Sequence, residues 1–323
     1  MKKLLLLSFL FISVIGFSQD TDESTAEDAV KEGWTRAGNA SLLFNQAAFN
    51  NEWTGGGVSN ISGNLSLTYE MNYNKGGLVW DNILLAEYGL TKLKEDDFAR
   101  KTNDRLAINS ILGKQIKETN WYYSMYLNFK TQMDSGYEDS DAQILDDNGD
   151  PVIINGNPLF ETTREKTTHF FSPAYLQVGP GLLWKKSENL KVNISPLASK
   201  FIFVHDEFTN VGTDQTTIDA FNNAGGYFGV EANETMRFEF GASIEAYAKF
   251  NLMENIVFEN FVNLYSNYLE DPQNVDVDYT ANIIFTVNKW ITANITFQAI
   301  YDDNAVQGFQ IRETLGVGVA HSF

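Results

Sequence analysis

The chain has 323 residues, of which 43% are hydrophobic and 20% charged, so it holds enough apolar material to exclude wholesale disorder. Its net charge of -19 at pH 7 excludes nucleic acid as a partner, because phosphate would be repelled. The absence of cysteine excludes disulfides, thiolate metal sites and lipid-modified cysteine.

Residues 1–18 read as an export signal. Lys2 and Lys3 supply the positive start, an apolar run follows, and Gly16 and Ser18 place small residues before a cut at Gln19. Losing those two lysines takes the net charge from -19 to -21. Residues 19–35 are acidic and nearly free of aromatics, which fits a flexible leader outside the fold. Nothing later in the chain is continuously apolar. A bundle of membrane helices, each needing about 20 apolar residues, is therefore excluded, whereas alternating strands are not.

From residue 36 onward the dominant period is two. Met236, Phe238, Phe240, Ala242, Ile244, Ala246, Ala248, Phe250 and Leu252 alternate with a set that includes Arg237, Glu239, Glu245 and Lys249. That is a strand with one apolar and one polar face. Similar alternation predicts about twelve strands, over residues 37–50, 58–74, 77–94, 101–117, 120–134, 170–185, 189–205, 233–252, 255–270, 274–288, 290–303 and 308–323. Ordinary globular strands run to about five or six residues, so strands of this length suit a bilayer crossing. The connections alternate between tight turns (75–77, 118–120, 186–188, 253–254, 288–289) and longer loops. Outer-membrane barrels have this asymmetry, with short periplasmic turns and long external loops. Both termini then lie in the periplasm.

Trp80, Trp121, Trp184 and Trp290 sit beside tight turns and Trp34 precedes the first strand, which predicts one interfacial aromatic girdle. Tyr88, Tyr268, Tyr279 and Tyr301 lie near the opposite strand ends and predict the other. In the last strand Leu315, Val317, Val319, His321 and Phe323 alternate with small residues, and the chain stops on Phe323. An apolar-alternating final strand ending in Phe is the form that the barrel-assembly machinery recognises. Charges on a lipid face cost up to roughly 2–4 kcal/mol at mid-membrane, so the charged face must point inward. This assigns Glu70, Asp81, Glu87, Lys130, Arg237, Glu239, Glu245, Lys249, Glu259, Asp276, Asp278 and Arg312 to an acidic polar lumen. Within it, pairs such as Arg237 or Arg312 with Glu239 or Asp278 would brace the barrel.

Several segments together resemble a known family. They are Asn45-Gln46, Asn51-Glu52-Trp53, Gly55-Gly56-Gly57, residues 100–105, residues 120–124 and Pro173-Ala174-Tyr175-Leu176. Further along come Ser195-Pro196-Leu197, residues 265–274 and Tyr301-Asp302-Asp303. The chain resembles the uncharacterised Bacteroidota envelope proteins catalogued as domain of unknown function 3078. The resemblance implies an outer-membrane setting in a diderm bacterium and no assigned activity.

No enzymatic motif stands out. Ser172 and Ser199 lie near His169 and His205, but neither has the context of a nucleophile, and no cofactor site is expected. Asp146, Asp147 and Asp150 are a weaker candidate for a divalent cation, lacking EF-hand spacing; an Asn148-Gly149 hairpin turn reads better there. The expectation is an all-β, up-and-down barrel over residues 36–323. It would act as a narrow pore, solute transporter or surface receptor, with membrane lipid, the barrel-assembly machinery and a small solute as partners. The rival readings are an outer-membrane enzyme on lipid or peptide, and a structural or envelope-assembly barrel with a filled lumen.

Overall fold

The computed structural model describes residues 32–49, 58–94, 96–146, 149–154, 157–302, 304 and 306–322. The export signal and most of the acidic leader, together with the motif at residues 51–57, Asp147, Asn148, Asp303 and Phe323, lie outside the described residues.

Twelve strands close into one antiparallel barrel. In chain order they are β1 (Gly33–Ala47), β2 (Asn60–Lys75), β3 (Leu78–Leu93), β4 (Arg100–Gln115) and β5 (Trp121–Thr131). The series resumes with β10 (Ala174–Ser187), β11 (Leu190–Phe203), β12 (Met236–Met253), β13 (Ile256–Asn267), β14 (Val275–Thr286), β15 (Ile291–Asp302) and β16 (Val306–Ser322). Between β5 and β10 the chain leaves the wall as a long hairpin, β6 (Gly136–Gln143) with β9 (Phe160–Thr168), whose tip holds the short pair β7 (Ile153–Ile154) and β8 (Asn157–Pro158). Connections of two to five residues (76–77, 116–120, 188–189, 254–255, 287–290) occupy one rim. The other rim carries the longer ones (48–59, 94–99, 132–173, 204–235, 268–274) and the short 303–305, and β1 starts and β16 ends toward the first rim. Trp34, expected ahead of the first strand, is inside it, because β1 pairs with β2 from Gly33↔Asn74 onward.

The alternation sets what each face meets. Outward, Phe238, Ile244, Phe250, Ile311, Leu315, Val317 and Val319 are all exposed. Inward, Glu239, Ser243, Glu245, Lys191, Asn193 and Lys200 are buried. The sorting is inverted relative to a water-soluble protein, which rarely exposes a large continuous apolar surface. Two exterior polar groups satisfy each other: the Tyr279 hydroxyl donates to Asn260 Oδ1 at 2.9 Å.

The barrel closes through a short seam. Among the described residues β1 pairs with β16 over six positions, Asn39↔Ser322 to Phe44↔Val317, whereas β1 pairs with β2 over fifteen. The small residues of the last strand allow this closure. A Cβ at Gly318 would fall 1.9 Å from the Leu42 carbonyl oxygen, and one at Gly316 would fall 2.8 Å from the Leu43 side chain, which is buried against the inner wall.

Candidate lumen site

Trp34, Trp80, Trp121 and Trp290 lie exposed on the tight-turn rim, with Trp184 half-buried beside them. The Trp34 ring packs on Tyr73 and Trp80 at 5.2 and 5.6 Å, and Trp80 Nε1 donates to Ser110 Oγ at 2.9 Å. His321 stacks on Trp290 at 5.8 Å, so it extends the aromatic rim. Toward the long-loop rim, the Tyr88 hydroxyl donates to Asp134 at 2.7 Å, Tyr301 packs on Phe309 at 5.3 Å, and Tyr268 is exposed.

The inward faces build two cavities. The one nearer the long loops is about 540 Å³, and its walls include Arg105, Lys130, Lys200, Asp276, Asp278, Asp302 and Arg312. The one nearer the tight turns is about 170 Å³, and its walls include Glu70, Asp81, Lys191, Glu245 and Glu259. Arg105, Asn128 and Phe261 line both. Between them, the Glu245 carboxylate accepts from Asn109 and Asn128 at 3.2 Å each, bonds that cross from β12 to β4 and β5. Val79, Ile111, Tyr122, Tyr126, Leu183, Ala198 and Tyr265 form a buried apolar cluster. The interior is thus partly filled, as barrels wider than eight strands need not be.

Ion pairs span the interior. Asp81 on β3 accepts from Lys185 on β10 at 2.8 and 2.9 Å and from Lys191 on β11 at 3.0 Å. Lys130 on β5 meets Asp278 on β14 at 2.9 Å. Lys200 on β11 reaches Asp276 at 2.9 Å, Glu239 at 3.3 Å and Asp302 at 3.7 Å. Lys249 and Glu259 pair at 2.8 Å. Glu70 lines the smaller cavity, and Glu87 lies 3.9 Å from Arg312.

Two expectations change on this geometry. Arg237 does pair with Glu239, at 2.9 Å, but the two are neighbours on one face of β12, so the contact does not brace opposite walls. The acidic excess holds only in the smaller cavity, where Glu70, Asp81, Glu245 and Glu259 face Arg105 and Lys191; on the larger cavity's wall Lys101, Arg105, Lys130, Lys200 and Arg312 stand against Asp104, Asp276, Asp278 and Asp302. Sequence reasoning missed Arg105, Lys185, Lys191 and Lys200, which balance the carboxylates it found. Their period-two position was a usable signal for Arg105 and Lys191. For Lys200 it was hidden by a register shift between Ser195 and Ala198.

A loop folds beside the larger cavity. Ile202, Val204 and Val230 pack with Tyr175, Tyr227 and Phe228, and the Tyr227 hydroxyl donates to the Thr167 carbonyl at 2.7 Å. A short helix, α1 (Gln215–Asn223), is capped by Asp214, which accepts from Thr217 N at 3.0 Å. Gly229, at φ 77°, has no Cβ to obstruct Arg237, whose Nη1 donates to the Gly229 carbonyl at 3.0 Å; a Cβ there would stand 2.9 Å from that nitrogen. Phe228 lines the larger cavity.

Ser172, His169 and His205 come together in this outer region, but as a structural knot. Ser172 is fully buried and its hydroxyl accepts from the His205 backbone N–H at 2.9 Å, while the two imidazoles pack at 5.1 Å. Ser199 pairs across the wall with Phe240, on the opposite face from Lys200. Asp146 accepts from the Asp150 backbone N–H at 3.0 Å, and Leu145 bridges Pro151, which brings these two ends of the acidic stretch together.

With this arrangement in view, the chain can be placed among known proteins. Residues 44–137 match the family described as "Protein of unknown function (DUF3078)". Of the segments that carried the resemblance, Asn45-Gln46, residues 51–57, residues 100–105 and residues 120–124 fall inside that match. No curated protein matches the chain. Among solved structures, the translocator domain of the autotransporter NalP from Neisseria meningitidis is 10% identical, with TM-score 0.35, covering 92% of this chain and 90% of that one. An outer membrane channel from Pseudomonas putida F1 is 10% identical, with TM-score 0.36, covering 94% and 100%. The NanC porin is 9% identical, with TM-score 0.33, covering 88% and 97%.

Proposed function

We propose that this chain is a non-enzymatic outer-membrane barrel whose lumen is a narrow, charge-paired path for small polar solutes. The exposed apolar exterior supports the membrane setting, and short turns beside both described chain ends support periplasmic termini. The observation that carries the pore reading is that the two interior cavities share the walls Arg105, Asn128 and Phe261. A path through that junction is lined by hydrogen-bonding groups and a guanidinium, which can replace the hydration of a polar solute. The loop carrying Phe228 lines the larger cavity and narrows it on the long-loop side.

The filled structural barrel is the competing reading, and the apolar cluster around Leu183 favours it. Planar-bilayer recording on refolded, inserted protein decides between them. Discrete conductance steps are expected, smaller than those of wide porins. Inserted protein with no current above the lipid background refutes the pore.

A further inference from the structure

The barrel's interior cations fall into two groups. Lys130, Lys185, Lys191, Lys200 and Lys249 each have a carboxylate oxygen within 3.0 Å. Arg105 and Arg312 do not. Among the described residues, Arg105 comes no nearer to a carboxylate than the 4.0 Å between its Nη2 and Asp278, and Arg312 no nearer than 3.9 Å, to Glu87. The Nε atoms of both are buried without a hydrogen-bond partner. Their side chains are only 15% and 27% exposed, so bulk water does not make up the deficit.

The two guanidiniums converge. Arg312, on β16, donates through Nη1 to Asn103 Oδ1 on β4, and Asn103 shares its face of β4 with Arg105, two residues on. Such neighbours are roughly 7 Å apart along a strand. Glu87 stands opposite Arg105 in the β3–β4 ladder and beside Arg312. Counting Lys130, three cations here stand over the two carboxylates Glu87 and Asp278, while Lys101 pairs with Asp104 and Lys200 with Asp276 and Asp302 elsewhere on the cavity wall. All three cations line the 540 Å³ cavity together with Tyr175, Phe228, Phe261 and Tyr265. That volume lies within the roughly 300–1,000 Å³ of small-molecule sites.

We propose that Arg105 and Arg312 form a binding site for the anionic group, carboxylate or phosphate, of a small solute in the larger cavity. A guanidinium fork with free N–H groups matches the two oxygens of either anion. The aromatic side chains then supply an apolar wall for the rest of the solute. This deepens the solute-path reading and rests on it for its biological sense, since the path delivers the anion to the site.

The test is calorimetric titration of the full-length folded protein in detergent with inorganic phosphate, with gluconate, and with neutral glucose. Binding of phosphate or gluconate but not glucose is expected, and which of the two binds identifies the group. Arg105→Gln and Arg312→Gln should each weaken that binding at least tenfold, while Lys289→Gln at a tight turn should not change it. Heat-modifiable gel migration verifies that each variant is folded. Should folded wild-type protein bind neither anion, or should both arginine variants bind as wild type does, the site is overturned. Conductance without anion binding removes the site and leaves the pore standing. Anion binding without conductance keeps the site and removes the pore.

Discussion

Asp81→Asn tests whether the interior is held by charge. Asp81 is 3% exposed and is gripped by two lysines, with three N···O distances between 2.8 and 3.0 Å. At such separations each ion pair has a gross Coulomb energy of about 5–6 kcal/mol at an effective dielectric constant of 20. Much of that offsets the removal of three charges from water. The amide keeps the shape and loses the charge. Lys185 retains Glu188 at 2.8 Å, but Lys191 has no other carboxylate within 4 Å among the described residues. Breaking a buried pair from one side costs about 3–5 kcal/mol because it strands the other charge. Urea unfolding of the barrel in detergent or lipid, followed by tryptophan fluorescence, should show a loss of that size. The triple replacement Asp81→Leu, Lys185→Met, Lys191→Met should recover most of it, since an apolar filling strands nothing. Asp81→Asn within 1 kcal/mol of wild type would refute the reasoning, because the triad would then be effectively solvated.

Gly318→Ala puts a Cβ 1.9 Å from the Leu42 carbonyl oxygen at the seam, so it should cost about 1–3 kcal/mol or prevent closure; unchanged urea unfolding would contradict this. Outside the membrane-spanning wall, the Lys166 ammonium holds the Glu207 carboxyl below its ordinary 4.5, and the Tyr88 hydroxyl holds Asp134 below 3.8. Carboxyls lowered by folding contribute at neutral pH and lose that contribution as pH falls below their unfolded values. The hairpin of β6 and β9 should therefore loosen between pH 5 and 3. A spin label at Ser140 whose mobility stays constant over that range would count against it.

The wall of this barrel was legible because lipid makes the alternation strict. Phe238 and Glu239 cannot exchange faces without exposing a charge to acyl chains, so strand limits read from period two fall within a few residues of those found. Inside, the rule relaxes. The inner face of β10 runs Tyr175, Gln177, Gly179, Gly181, Leu183 and Lys185, a mixture that gives no polar signature, so Lys185 escaped notice. At Pro196 the wall bulges, and a reading in steps of two no longer follows Lys200. The folded loop beside the larger cavity was also missed. Its helix rests on one cap, Asp214 to Thr217, and its core on three aliphatic side chains, too local a pattern for periodicity to register.

The six-residue seam has a consequence for how the molecule reaches its final form. Except for the seam and the β5–β10 junction, each neighbouring pair in the wall is joined by one turn or loop, so the sheet can grow hairpin by hairpin along the chain. The seam alone joins residues 283 apart, as Asn39 and Ser322 are. Such a contact bears the largest loop-closure entropy in the molecule and has the fewest rungs to oppose it. An open, curled sheet with two free edges is the natural precursor, and zipping Leu42 against Val319 is the event that commits it to a cylinder.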